Sequence, residues 1–172
     1  MAEKILCSGN EAVARGAIAA GCKYFFGYPI TPQSDIPEYM SRELPKIGGS
    51  YVQSESEVSS IYMVYAGALA GARVMTSTSS PGYSLMQEGT SYIAEMEAPC
   101  VIVNVVRMGP GIGTGGQGSQ TDYRQAVYGG GHGGYRNIVL APSSPQEVYD
   151  IIQLGFYLAD KYQIPVIMLT EQ

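Results

Sequence analysis

The chain has 172 residues, of which 45% are hydrophobic and only 15% charged, and its formal net charge at pH 7 is −5. This length can bury a full core, and an acidic balance without clustered Lys and Arg argues against nucleic acid as a ligand. The amino end has no signal-peptide pattern and no apolar run could span a membrane. Three scattered cysteines, Cys7, Cys22 and Cys100, fit reduced thiols. We therefore expect a cytoplasmic protein, and the low charge suggests that partners cover much of its surface.

Predicted strands and helices alternate along the whole chain. Strands are expected at residues 23–27, 51–54, 73–78, 100–106, 137–141 and 164–170, after a brief extended start at 5–8. Helices are expected at residues 11–20, 33–44, from 57 to about 71, 82–96, 122–128 and from about 145 to 161. Such alternation predicts an α/β fold in which residues 1–172 form one domain, with an open, mostly parallel sheet covered by helices on both faces.

Ligands of such sheets bind beyond the carboxyl ends of the strands. Three predicted segments fall there: residues 28–32, residues 54–57, and the segment after Val106 that begins with Arg107. The first, Tyr28-Pro29-Ile30-Thr31-Pro32, is called the Thr31 loop below. Its two prolines fix much of the backbone, so the Thr31 hydroxyl is presented from a stiff segment, as a well-defined contact requires.

Charged residues in these segments have two interpretations. Glu55 and Glu57 open a predicted helix, where acidic residues are common partners of the macrodipole. A carboxyl group removed from water beside a coenzyme can instead exchange protons near neutral pH. Arg107 could pair with a surface carboxylate, or its planar guanidinium could clamp the carboxylate of a substrate. The residues alone leave both pairs of alternatives open.

Two glycine-rich segments, residues 109–118 and 129–134, lack the spacing of dinucleotide and P-loop motifs. We interpret the first as a functional loop rather than a nucleotide site. His132 is the only histidine and has no acidic neighbour in sequence, which favours a structural role over a catalytic one. Neither a metal-ligand cluster nor a CxxC pair occurs, so the chain alone is not expected to hold a metal or an iron–sulfur cluster.

Several segments together resemble the alpha subunit of the 2-oxoacid:ferredoxin oxidoreductases, in its amino-terminal domain that binds the pyrimidine of thiamine diphosphate. They cover nearly the whole chain and include YPITP, AGALAGARVMTSTSSPG, APCVIVNVVRMGPG and GGGHGGYRNIVLAPSSPQ. YPITP and the block ending in SPG are the most specific of these. GGGHGGYR and the residues after PITP are most similar to the branched-chain (2-oxoisovalerate) subgroup, followed by the 2-oxoglutarate enzymes. Met108 and GGQGSQTD, which follow Arg107, depart from the family pattern.

The resemblance implies roles for individual residues. Glu57 would hydrogen-bond the aminopyrimidine ring and so promote formation of the reactive ylid, with Glu55 as the alternative. Thr31 would lie beside the reactive end of the coenzyme and the substrate, and Arg107 would bind the carboxylate of the 2-oxoacid. The further coenzyme contacts that the resemblance implies are Tyr28, Pro29, Ile30, Ser79 and Pro81.

The implied reaction, known from anaerobic metabolism, converts a 2-oxoacid to an acyl-coenzyme A with transfer of electrons to ferredoxin. The chain lacks the GDG motif that binds diphosphate and magnesium, and it lacks cluster cysteines. The resemblance therefore implies a beta subunit with the diphosphate-binding domain, together with gamma and ferredoxin-like subunits, and places magnesium and iron–sulfur clusters in these partners.

The family's alpha subunit usually continues into a second domain. We therefore expect a truncated chain or a naturally split subunit that is inactive alone. Two alternatives remain at this point: the pyrimidine-binding domain of a different thiamine diphosphate enzyme, such as a decarboxylase or a transketolase-like protein, and a non-catalytic flavodoxin-like interaction module.

Overall fold

The computed structural model describes residues 4–112 and 115–172, which contain six strands and seven α-helices. The strands are β1 (Tyr24–Gly27), β2 (Ser50–Gln53), β3 (Val74–Thr78), β4 (Cys100–Val105), β5 (Ile138–Leu140) and β6 (Pro165–Thr170). The helices are α1 (Gly9–Ala19), α2 (Asp35–Glu43), α3 (Glu57–Leu69), α4 (Ser80–Leu85), α5 (Gln87–Glu95), α6 (Tyr123–Tyr128) and α7 (Pro145–Tyr162), and a 3₁₀ turn spans Leu44–Ile47.

The strands form one sheet in the order β2-β1-β3-β4-β6-β5, and every neighbouring pair is parallel. The predicted α/β class and parallel sheet are confirmed. Strands β3 and β4 are buried along their whole length, because a central parallel strand has helices on both of its faces. This burial accounts for the continuous apolar run in β4. No helix in the described part of the chain is long and apolar enough to cross a membrane.

Each face of the sheet has its own hydrophobic cluster. Helices α1, α2 and α7 cover one face and pack on side chains such as Phe25 and Met75, whereas α3 to α6 cover the other face and pack on Val74 and Ile102. Helix α1 lies directly against α7, because a Cβ on Gly16 would come within 2.7 Å of the Tyr149 carbonyl oxygen. The helices lie on the two faces of the sheet. Because the strands are parallel neighbours, the carboxyl ends of β1 to β4 lie together along one edge of the sheet.

The predicted single helix at residues 82–96 is wrong: the structure has two helices there, and the first begins at Ser80. Ser79 is the N-cap of α4, and Ser80 and Pro81 already belong to its first turn. Proline is tolerated there because the first N–H groups of a helix have no intrahelical partner. The Met86 N–H is shared between the carbonyl groups of Gly82 and Tyr83. This tightened turn ends α4, and α5 begins at the next residue.

Helix starts differ from the prediction in two places. The extended start at residues 5–8 joins no strand of the described sheet; Ser8 instead caps α1, and its hydroxyl accepts a hydrogen bond from the Glu11 N–H. Helix α1 therefore begins at Gly9, two residues before the predicted start. Helix α2 begins at Asp35, two residues after the predicted start. Its N-cap is Ser34, which makes no side-chain capping bond.

Candidate active site

Four segments meet at the carboxyl edge of the sheet, because the parallel strands β2, β1, β3 and β4 are neighbours in that order. These segments are the Thr31 loop after β1, residues 54–57 after β2, residues 79–82 after β3 and Arg107 after β4. The sequence predicted three of these four segments as candidate ligand-binding segments. For residues 79–82, only the family resemblance indicated a contact with the coenzyme.

The Thr31 loop is held through its main-chain carbonyl groups. The Tyr28 and Ile30 carbonyl oxygens accept hydrogen bonds from Gln33, and that of Pro32 accepts one from the Asn10 side-chain amide at 2.8 Å. Asn10 and Gln33 are themselves fully buried. The loop's side chains remain partly accessible: those of Pro29 and Thr31 are exposed, and those of Tyr28 and Ile30 are half-buried. The backbone of the Thr31 loop is thus held in place, while its side chains can contact a ligand at the carboxyl edge of the sheet.

The structure distinguishes between the two candidate glutamates. Glu57 is the first residue of α3 and is only 6% exposed. No described residue donates a hydrogen bond to its carboxylate. Glu55 is exposed, and its carboxylate accepts a hydrogen bond from the Ser59 hydroxyl at 3.0 Å. Of the two, Glu57 is therefore the carboxylate that has no hydrogen-bond donor among the described residues, and its surroundings suit a ligand.

Gly82 makes room for the Glu57 carboxyl group. A Cβ on Gly82 would lie 2.7 Å from Glu57 Oε1 and would also collide with Thr78 Oγ1. The hydroxyl groups of Thr78 and Ser79 are buried and have no hydrogen-bond partner among the described residues. Buried polar groups normally bind water or a ligand when they lack a protein partner. The end of β3 therefore offers two unused hydroxyl groups, and that of Thr78 lies close to Glu57.

Arg107 is buried, with 7% of its surface exposed. Its Nη1 donates a hydrogen bond of 2.9 Å to the Thr31 carbonyl oxygen, whereas its Nε has no partner among the described residues. The Ser80 hydroxyl fixes the Arg107 main chain by accepting from its N–H at 3.0 Å and donating to its carbonyl oxygen at 3.2 Å. No described carboxylate forms an ion pair with Arg107. Because a buried cation is strongly disfavoured without a counter-charge, this guanidinium suits an anionic ligand.

Residues 15–172 match the family model described as "Pyruvate flavodoxin/ferredoxin oxidoreductase, thiamine diP-bdg". The chain belongs to this family. The family's thiamine diphosphate fits the site on structural grounds, because the unpartnered Glu57 carboxyl group and the free hydroxyls of Thr78 and Ser79 can hydrogen-bond a polar ring. The described residues contain no cluster of three or more His, Cys, Asp or Glu that could hold a metal ion.

Relatives of this thiamine diphosphate-binding domain act on two kinds of 2-oxoacid by name. The chain is 55% identical over 166 residues to "Ketoisovalerate oxidoreductase subunit VorB" of Methanothermobacter thermautotrophicus, covering 96% of this chain and 47% of that protein. It is 49% identical over 164 residues to "2-oxoglutarate synthase subunit KorA" of Methanocaldococcus jannaschii, covering 95% of this chain and 44% of that protein. The chain thus spans about half the length of the curated relatives it matches.

A solved structure of 2-oxoglutarate:ferredoxin oxidoreductase from Magnetococcus marinus, with 2-oxoglutarate, coenzyme A and succinyl-coenzyme A bound, has the same fold. The TM-score is 0.94 at 40% sequence identity, and the match covers 97% of this chain and 29% of that one. The fold described above is therefore also that of this solved relative.

The two remaining sequence candidates, Pro81 and His132, lie in different parts of the structure. Pro81 lies in the first turn of α4, half-buried beside Ser79. His132 lies apart on the outer surface, where its ring meets the edge of Tyr92 at 5.4 Å between centroids. The sequence did not predict Gln33, Thr78, Ser80 or Gly82 as site residues, because glutamine, threonine, serine and glycine at such positions carry no distinctive pattern.

Proposed function

We propose that this chain is the pyrimidine-binding component of a 2-oxoacid:ferredoxin oxidoreductase, which converts a 2-oxoacid to an acyl-coenzyme A and passes the electrons to ferredoxin. The observation that carries the proposal is the pair of buried charged groups at one edge of the sheet, Glu57 and Arg107, neither of which has an ionic partner among the described residues. Family membership supports the same assignment. On this proposal residues 1–172 act as one pyrimidine-binding domain.

Glu57 would bind the pyrimidine ring. When bound, thiamine diphosphate supplies the nucleophilic carbon and the electron sink that decarboxylation of a 2-oxoacid needs. The Glu57 carboxyl group would hold the proton that this chemistry requires at the ring, since it lies against Gly82 and has no described hydrogen-bond donor of its own. Tyr28, Pro29, Ile30, Thr31, Ser79 and Pro81 would line the same ring.

Arg107 would orient the 2-oxoacid. Its Nη1 is engaged by the Thr31 carbonyl group, which leaves Nε and Nη2 to meet a carboxylate. A carboxylate would neutralise the buried charge, and two parallel bonds from a planar guanidinium would fix its direction. The Thr31 side chain stands on the same loop and would contact the reacting part of the substrate.

The whole reaction requires partners. A beta subunit would bind the diphosphate and magnesium, and gamma and ferredoxin-like subunits would carry iron–sulfur clusters to ferredoxin. Candidate substrates are 2-oxoisovalerate first and 2-oxoglutarate second, following the 55% and 49% identities to the two named relatives. The three cysteines are unpaired in the structure, which supports a reducing location such as the cytoplasm.

The test is dye reduction by the assembled complex with Glu57→Gln and, as a matched control, Glu55→Gln. We expect the first substitution to lower 2-oxoacid-dependent viologen reduction at least about 100-fold, as loss of a general acid–base group does, and the second to leave it within about twofold. Normal turnover in Glu57→Gln would contradict the proposal. Release of carbon dioxide without dye reduction in the unmodified complex would instead favour a thiamine diphosphate decarboxylase.

A further inference from the structure

Gln33 lies at the junction between the Thr31 loop and α2 and is fully buried. Its side-chain amide donates a hydrogen bond of 3.0 Å to the Tyr28 carbonyl oxygen. Its Oε1 accepts a hydrogen bond from the Ser77 hydroxyl in β3. Its main-chain N–H donates to the Ile30 carbonyl oxygen at 3.1 Å. Gln33 therefore bonds the carbonyl groups of Tyr28 and Ile30 and also Ser77, so it connects the first part of the Thr31 loop to a central strand of the sheet.

The strand that Gln33 reaches also carries the other wall of the site. Ser77 faces Gln33, whereas the next residue, Thr78, faces the opposite side of the sheet and lies beside Gly82 and Glu57. Successive residues of a strand point to opposite faces. The Gln33–Ser77 hydrogen bond thus links the Thr31 loop to the strand that positions the surroundings of Glu57.

The second half of the loop depends on Arg107 and Asn10. The Thr31 carbonyl oxygen accepts from Arg107, and the Pro32 carbonyl oxygen accepts from Asn10. If the first half of the loop moves, the Thr31 carbonyl group moves with it, and Arg107 loses the contact that sets its direction. A buried amide with both ends bonded has few alternative arrangements. Gln33 is thus suited to set the position of Thr31 and, through it, of the Arg107 guanidinium.

We propose that Gln33 is a positioning residue for this site: by joining the Tyr28 carbonyl group to Ser77, it holds Thr31 and Arg107 where the carboxyl end of a 2-oxoacid must bind. This inference rests on the proposed function for the identity of the ligand. The positioning itself is a property of the chain and can be measured without substrate.

The test compares Gln33→Met with Gln87→Met in the assembled complex. Gln87 is a matched control, because its buried amide also donates to a main-chain carbonyl group, that of Tyr83 at 2.8 Å, and accepts a bond, from the Gly130 N–H at 2.9 Å. We expect Gln33→Met to speed hydrogen exchange at the main-chain amide of position 33, which donates to the Ile30 carbonyl oxygen in the loop, at least about tenfold, and Gln87→Met to act instead on residues 129–134.

Kinetics distinguish positioning from a loss of folded protein. We expect Gln33→Met to raise the KM for the 2-oxoacid about tenfold while the KM for coenzyme A is unchanged. A merely structural defect would lower kcat and leave both KM values as they are. Gln87→Met is expected to change neither KM. Unchanged exchange at the amide of position 33, or faster exchange with an unchanged KM for the 2-oxoacid, would overturn the proposal.

Ser77→Ala keeps the test decisive if Gln33→Met fails to assemble. It removes only the attachment to β3, so we expect a smaller rise in the KM for the 2-oxoacid, about threefold. Ser91→Ala is its control, since the Ser91 hydroxyl accepts from the His132 N–H at 3.0 Å far along the chain from the loop. Equal effects of the two serine substitutions would overturn the proposal. The hydrogen-exchange result stands even if Glu57→Gln shows that the proposed reaction is wrong.

Discussion

Arg107 Nη1 donates a 2.9 Å hydrogen bond to the carbonyl oxygen of Thr31, 76 residues earlier in the chain. The loop after β1 and the end of β4 are thereby joined across β3, which lies between their strands. The contact orients the guanidinium without neutralising it, because a carbonyl group has no net charge. The charge thus remains available to an anion.

Replacement of Arg107 by lysine tests this arrangement. A lysine keeps the positive charge but lacks the planar fork, so it cannot bond the Thr31 carbonyl group and a carboxylate in the same geometry. We expect Arg107→Lys to raise the KM for the 2-oxoacid about 10-fold to 100-fold, as loss of a charge-assisted bond does. The exposed Arg124 provides the control, and Arg124→Lys should leave steady-state kinetics unchanged. Equal KM values for the two variants would contradict the assignment.

Gly82→Ala should displace the Glu57 carboxyl group. The added methyl would lie 2.7 Å from Glu57 Oε1, and such overpacking typically destabilises a protein by about 1–3 kcal/mol. We expect thiamine diphosphate to bind more weakly, as measured by the coenzyme concentration that gives half-maximal activity. Gly155→Ala in α7 is the control, because its methyl would meet its nearest neighbour at 3.5 Å, an ordinary contact. A Gly82→Ala complex with unchanged coenzyme affinity would show that the carboxyl group is not confined.

Two thiols should resist alkylation near neutral pH. Burial raises the pKa of Cys22 and that of Cys100 to about 12 from an ordinary value of 9.0. Both groups therefore stay protonated at pH 8, and the thiolate is the nucleophilic form. We expect iodoacetamide to modify Cys7, which is half-buried, long before the other two, as mass spectrometry of the native protein can measure. Rapid modification of Cys100 would contradict its burial in β4.

The start of α7 should make stability depend on acid pH. The Ser143 hydroxyl and N–H both donate to the Glu147 carboxylate, and these bonds hold the pKa of Glu147 below its usual value of 4.5. A carboxyl group with a lowered folded-state pKa stabilises the protein above its unfolded pKa and loses that effect as pH falls through the folded value. Glu147→Gln should therefore lower the unfolding temperature at pH 7 and have a progressively smaller effect below about pH 4.5. An equal effect at pH 7 and pH 3 would contradict this mechanism.

The sequence predicted the elements of this fold well, because strongly apolar strands alternate with amphipathic helices. Its failures are local. The break at Met86 carries no glycine or proline, so helical spacing continues across it, and the direction change depends on packing rather than on turn chemistry. The start of α1 was misplaced because Ser8 and Asn10 are both acceptable caps, and only the structure shows which one accepts the Glu11 N–H.

The site was only partly predictable. Parallel strands place the Thr31 loop, Glu57 and Arg107 at one edge by topology alone, which a sequence can suggest. The choice between Glu55 and Glu57 could not follow from spacing, since both lie at a helix start; it depends on which carboxyl group faces Gly82. Gln33 and Ser80 act through main-chain groups of other residues, and such contacts between distant segments leave no local pattern in the sequence.

The parallel order of the sheet couples formation of the site to folding of the chain. The four segments of the site follow strands β1 to β4, which pair only through crossover connections, so the site is complete only when all four strands have paired. A ligand that binds only the native state shifts the equilibrium toward it. A cell short of thiamine is therefore expected to keep less of this chain intact, as proteases remove what remains unfolded.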